Sequence, residues 1–148
     1  MIRRLALLAP LIAALWSGSA APADVQQPPL KDVTSVRLAN YGAPSAPIHS
    51  REDLRAVLEE LRQLRGKTWR RGDTKLECYS SVTLMHGNRI LTVFRVTPDT
   101  VVERIFSKGQ ATSFSQAIDP NELLKTSALL AEAPPAKGCA TAEAAETK

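Results

Sequence analysis

A chain of 148 residues, 44% hydrophobic and 23% charged, is one domain of ordinary size with apolar material for a packed core. Nineteen Lys and Arg against fifteen Asp and Glu give +4, and loss of an export leader holding Arg3 and Arg4 leaves 17 against 15. That mild balance gives no warrant for nucleic-acid binding, which usually needs a dense basic face, and seven glycines are too few for a phosphate-cradling loop.

The first two dozen residues read as that leader. Arg3 and Arg4 precede an apolar run of 12 residues, Leu5 to Trp16, broken only by Pro10, and small residues follow from Ser17 to Ala23. The run is short of the roughly 20 residues that cross a bilayer as a helix. Cleavage is expected after Ala20 or Ala23. The chain then divides into a signal peptide at 1–23, a flexible linker at 24–31, one α+β domain at 32–131 and a flexible Ala/Pro-rich tail at 132–148 that contains Cys139. The expected location is periplasmic or secreted, with no stable membrane anchor after cleavage.

Val33 to Tyr41 reads as a first strand, with Val36 and Leu38 alternating against Arg37. Gly42, Pro44 and Pro47 break the chain. Ser50 is an N-cap, and Leu54, Val57, Leu58, Leu61 and Leu64 make one apolar stripe, so the spacing predicts a helix over 51–65 with Gly66 as its stop.

From Leu76 the period becomes two. Leu76, Cys78, Ser80, Val82 and Leu84 are expected on the core side of a strand, with Tyr79 and Met85 opposite. A Gly87-Asn88 turn is good two-residue hairpin chemistry, but a uniform register from it sends Ile90 and Phe94 to the polar side. A three-residue loop, His86–Asn88, keeps one face apolar. It pairs Leu84 with Ile90, Val82 with Thr92 and Ser80 with Phe94, and is the register expected.

Val101 to Phe106 is a further strand, and Ala111 to Phe114 a short edge strand. Asp119, Pro120 and Glu122 form a capping box for a helix running to about Leu130. The fold class expected is α+β: an antiparallel sheet of four to five strands packed on one amphipathic helix, with a second C-terminal helix. The arrangement is similar in topology to the cystatin-type grip, but no Gln-x-Val-x-Gly loop is present. The outer sheet face would show Tyr79, Met85, Leu91 and Val93 beside Arg89 and Arg95, with the last helix as its expected cover.

Cys78 and Cys139 are the only cysteines, so in an oxidising compartment one bridge is possible, closing a loop of about 60 residues. The alternative is two free thiols. A thiol nucleophile would need His49 or His86 beside Cys78, and neither stands near it within a strand. No metal-ligand spacing occurs, Ser80-Ser81 lacks a nucleophile elbow, and Glu59-Glu60 reads as a solvated face. Catalytic residues, metal and cofactors are therefore none.

Arg62, Arg65, Lys67, Trp69, Arg70, Arg71 and Lys75 form a basic cluster around one Trp, offset only by Asp73. Trp69, Arg70 and Arg71 are the candidate partner-binding residues. The plainer reading folds the Trp69 ring over the end of the helix. The expected function is a non-enzymatic binding domain of the bacterial cell envelope, monomer or weak dimer, with an envelope protein or component as partner and no nucleic acid. The alternatives are an inhibitor of a secreted lysozyme or protease, using the hairpin Met85–Arg89 as a wedge, and a thiol enzyme.

Overall fold

The computed structural model describes residues 26–135 and 138–139, so the signal peptide expected at 1–23 lies outside the described residues. Helix α1 (Arg51–Arg65) has the expected bounds. The Ser50 hydroxyl accepts the Asp53 N–H at 3.2 Å, which satisfies one of the free donors at the helix start. At the other end Gly66 stays right-handed, at φ −71°, and donates to Gln63 and Leu64 carbonyls. The helix thus stops without the left-handed turn that glycine permits.

Seven strands form one antiparallel sheet. They are β1 (Ser35–Asn40), β2 (Ala46–Pro47), β3 (Arg70–Arg71), β4 (Ser80–His86), β5 (Arg89–Val96), β6 (Thr100–Ser107) and β7 (Gln110–Ala117). Their order in space is β2-β1-β4-β5-β6-β7-β3. The five long strands are the sheet proper. The two extra ones are two-residue edges, and Pro47 and the Arg70-Arg71 pair blunt them against further pairing.

One face of the sheet carries Val36, Leu38, Val82, Leu84, Phe94, Val96 and Val101 against Val57, Leu61 and Leu64 of α1. Each such side chain, when fully buried, contributes about 1.5–3 kcal/mol. The capping box at Asp119 is present and starts a 3-10 turn, Pro120–Leu123, which runs into α2 (Leu124–Ala131). Leu123 and Leu130 enter the same core cluster as the α1 stripe. Helix α2 therefore lies beside α1 on the inner face. The expectation that it covers the outer face is corrected: its apolar residues complete a core that α1 alone leaves open at the β1 end.

The β4–β5 hairpin corrects the expected register. His86 pairs with Arg89 and Met85 with Ile90, so the loop is the two-residue turn Gly87-Asn88, with Gly87 at φ 57°. The register then shifts, and Leu84 faces Thr92, Val82 faces Phe94 and Ser80 faces Val96. Leu91 is the extra residue of a bulge. The bulge satisfies both demands at once: the turn keeps its preferred length, and Val82, Leu84 and Phe94 still point inward. Leu91 is buried instead of lying on an open outer face, and Ile90 is left 43% exposed.

Two strand limits also change. Strand β4 begins at Ser80, not Leu76, and Cys78 is exposed instead of facing the core. Strand β7 is eight residues long and pairs with β6 along its whole length, although its sequence is mostly polar. Its inward Gln116 donates to the Leu64 carbonyl at 3.1 Å, which lets a polar residue sit against the end of α1.

The chain leaves β3 at one edge and rejoins the sheet at β4, so residues 72–79 cross β7, β6 and β5. Tyr79 lies against Arg95, on the face opposite α1, and Val102 on that face is fully buried. The segment passes over the outer face. At the N-terminal end, Leu30 and Val33 pack against the core, and Pro28 accepts a hydrogen bond from Arg65 at 2.6 Å.

Candidate functional site: an arginine-bearing sheet face

The pairing registers place residues in rows across the outer face. One row runs Arg37, Thr83, Val93, Arg104, Ser113. The next runs Ala39, Ser81, Arg95, Val102, Ser115, Arg70. Four arginines from β1, β6, β5 and β3 thus share one face. The only carboxylate in the five long strands is Glu103, which points inward. The segment 72–79 that crosses this face adds Asp73, Lys75 and Glu77, so cations still outnumber carboxylates there, and an excess of one sign raises the local potential and favours anions.

Three of the four guanidinium groups are held by neighbours, and Arg70 is exposed. Arg37 donates to the Ser45 hydroxyl and carbonyl, both at 2.9 Å. Arg95 stands 5.1 Å over the Tyr79 ring, which meets Tyr41 edge-on at 5.3 Å. Arg104 stands 5.7 Å over the Phe106 ring. Stacking fixes the guanidinium planes of Arg95 and Arg104 without consuming their donors, although the Arg104 Nε is itself buried and without a partner.

The predicted contact residues are divided by the fold. Trp69 is half-buried: its Nε1 donates to the Leu64 carbonyl at 3.1 Å and its ring meets Phe94 edge-on at 6.4 Å. It closes the end of α1, as the plainer reading held. Arg70 and Arg71 are exposed on the β3 edge, and the register turns Arg70 to the outer face beside Ser115. Arg95 was legible as an outer-face residue, whereas Arg37 and Arg104 were missed. The period-two signal holds both, but only the strand order shows that they share a row.

The sulfurs of Cys78 and Cys139 lie 2.01 Å apart, at bonding distance. Cys78 thus presents no thiol to a substrate. His86 uses Nδ1 on the Asp32 carbonyl at 2.7 Å, and Ser80 donates to Asn40 at 2.8 Å. Among the described residues no group of three His, Cys, Asp or Glu could hold a metal ion, and no helix is long and apolar enough to cross a membrane.

The acid pair on α1 is not one solvated face. Glu59 is exposed and hydrogen-bonded to Arg62, which holds its carboxyl down at about 2. Glu60 instead reaches α2 and accepts from the N–H groups of Lys125 and Thr126 at 2.7 and 2.9 Å. Glu103 is the one fully buried carboxylate among the described residues. It accepts from Gln27 at 2.7 Å and Thr92 at 3.2 Å, and it pairs with Arg65. Burial pushes its carboxyl above the usual range, and the Arg65 charge opposes that push. This cluster ties the N-terminal segment to α1 and β6.

A groove of about 400 Å³ lies between the β5–β6 turn and α2, lined by Val96, Pro98, Ile118, Leu123 and Leu130 with Asn40 and Ser80. Its Asn40 amide already donates to the Leu130 and Pro134 carbonyls, at 3.2 and 2.9 Å. A small-molecule site needs convergent polar groups, and here Asn40 and Ser80 are committed to the fold. No known protein-family model, curated protein or solved structure matches this chain.

Proposed function

We propose that this protein is a small exported domain of the cell envelope that acts by binding, and that its outer sheet face meets an anionic partner. The reading rests on one observation: Arg37, Arg70, Arg95 and Arg104 share that face, and no carboxylate stands at an outward position on the five long strands. Export is supported by the leader pattern at 1–23 and by the cysteine pair at bonding distance. A face held by stacking and hydrogen bonds suits recognition, which needs fixed geometry more than reactive groups.

Calorimetric titration with polyglutamate, a simple acidic probe, tests it. The expected result is saturable binding that weakens as salt is raised and falls several-fold in Arg70→Ala/Arg95→Ala. Absence of binding, or equal binding by the double variant, overturns the reading.

A further inference from the structure

The β4–β5 and β6–β7 turns project from the same end of the sheet, because alternate turns of a meander share an end. Ile90 and Phe106, beside these turns, are 43% and 42% exposed. They line one hollow of about 440 Å³ with Arg89 and Lys108, and Gln26 and Pro28 of the N-terminal segment form its other wall. Arg104 stands over the Phe106 ring. The stretches 86–91 and 104–110 hold those three cations and no carboxylate. Large apolar side chains ringed by one sign of charge mark a contact surface.

The backbone adds a second observation. Lys108 sits at φ 49°, in the left-handed region, and is the only non-glycine with positive φ among the described residues. Asn-Gly is the preferred pair for such a turn, and a long side chain there costs backbone energy. Keeping a lysine against that preference points to use of its charge.

We propose that this end of the sheet docks reversibly on a bilayer surface rich in anionic lipid. Ile90 and Phe106 enter the boundary between headgroups and acyl chains, while Arg89, Arg104 and Lys108 meet the lipid phosphates. Two projecting turns with a hollow between them offer little flat area to a folded protein. A fluid surface closes around them without needing a matching shape. The inference rests on the binding reading above and names a second contact, at one end of the same sheet, with Arg104 common to both.

Co-sedimentation with vesicles tests it, using a chain that starts at residue 24, because the arginine-bearing apolar stretch 3–16 would bind anionic vesicles by itself. The expected result is sedimentation with phosphatidylcholine vesicles containing phosphatidylglycerol, and none with phosphatidylcholine alone. Ile90→Ser/Phe106→Ser lowers the bound fraction about tenfold. Lys108→Asn lowers it about fivefold while raising or preserving the unfolding midpoint, so misfolding cannot account for the loss. Absence of binding to anionic vesicles, or unchanged binding by both variants, overturns the proposal. If polyglutamate is still bound in that event, the membrane contact falls and the binding reading stands. If neither is bound, both fall.

Discussion

Glu60 caps a helix that starts far along the chain: its carboxylate accepts the N–H and the hydroxyl of Thr126 at 2.9 and 2.6 Å. The N–H of Lys125 joins at 2.7 Å. Helix α2 has no side-chain cap of its own, so α1 supplies it across the helix interface. Replacing Glu60 by Ala leaves the buried Thr126 hydroxyl and two N–H groups without this acceptor. The expected loss is about 1–2 kcal/mol, read from the urea midpoint. Glu59→Ala, one position away and exposed, leaves the midpoint unchanged. Equal midpoints for Glu60→Ala and wild type would show that the cap contributes nothing.

Arg65 and Glu103 form a buried pair that α1 and β6 close around. Removing only the cation, in Arg65→Met, strands an ionised carboxylate in the core and costs about 3–5 kcal/mol at neutral pH. The sign of the pH dependence follows from the direction of the shift. Burial raises the Glu103 pKa, so the folded chain holds that proton more firmly than the unfolded chain does. Its contribution to stability is full below the ordinary carboxylate range and is lost as pH rises through the raised value. Without Arg65 the pKa rises further, so the deficit of Arg65→Met shrinks as the solution is acidified. The double variant Arg65→Met/Glu103→Gln recovers much of the loss. Denaturant curves at a series of pH values check this, and a deficit that widens on acidification contradicts it.

These two acids show where sequence reading stops. Helix α1 was legible residue by residue because its signals are local: Ser50, a leucine every three or four positions, Gly66. The inward face of β4 and β5 was legible for the same reason. Its loop was not, because turn preference and face preference conflict only in a uniform register, and one bulged residue at Leu91 removes the conflict. Strand β7 was cut short since Gln110–Ala117 has no apolar alternation and is held by pairing along β6. Cys78 was placed in the core because period two extends past the residue where pairing ends. Glu60 and Glu103 take partners 66 and 38 residues away, a separation at which composition and periodicity carry no signal. The arginine face lies between these cases. Every residue has the right parity along its strand, but the rows exist only once the strands are ordered.

Reduction of the Cys78–Cys139 pair tests how the tail is held. The two positions are 61 residues apart, and closing a loop of that size stabilises the fold by about 4 kcal/mol in the chain-entropy model. The bond joins the segment that crosses the outer face to the chain following α2 on the inner side, so it encircles one end of the sheet. Guanidinium unfolding with and without reductant is expected to show a clear drop in midpoint, matched by Cys78→Ala/Cys139→Ala. Intact mass in the absence of reductant reports the bond directly. An unchanged midpoint after complete reduction would mean that the tail stays docked through contacts such as Asn40 on Pro134 alone.

Trp69 and Arg70 are adjacent in sequence and take opposite roles. Trp69 bonds the Leu64 carbonyl and meets the Phe94 ring, so Trp69→Ala opens a space beside the core and costs about 2–4 kcal/mol. Trp69→Phe keeps most of the packing and loses the hydrogen bond, for about 1 kcal/mol. Arg70→Ala leaves the fold intact, because its side chain is exposed on a two-residue edge strand, and weakens polyglutamate binding. Trp69 is the only Trp after residue 16, so in a chain that starts at residue 24 its fluorescence reports this site alone. The expected emission is blue-shifted in wild type and in Arg70→Ala, and moves red only on unfolding. A Trp69→Ala variant as stable as wild type but unable to bind polyglutamate would reverse the assignment and make the indole the contact.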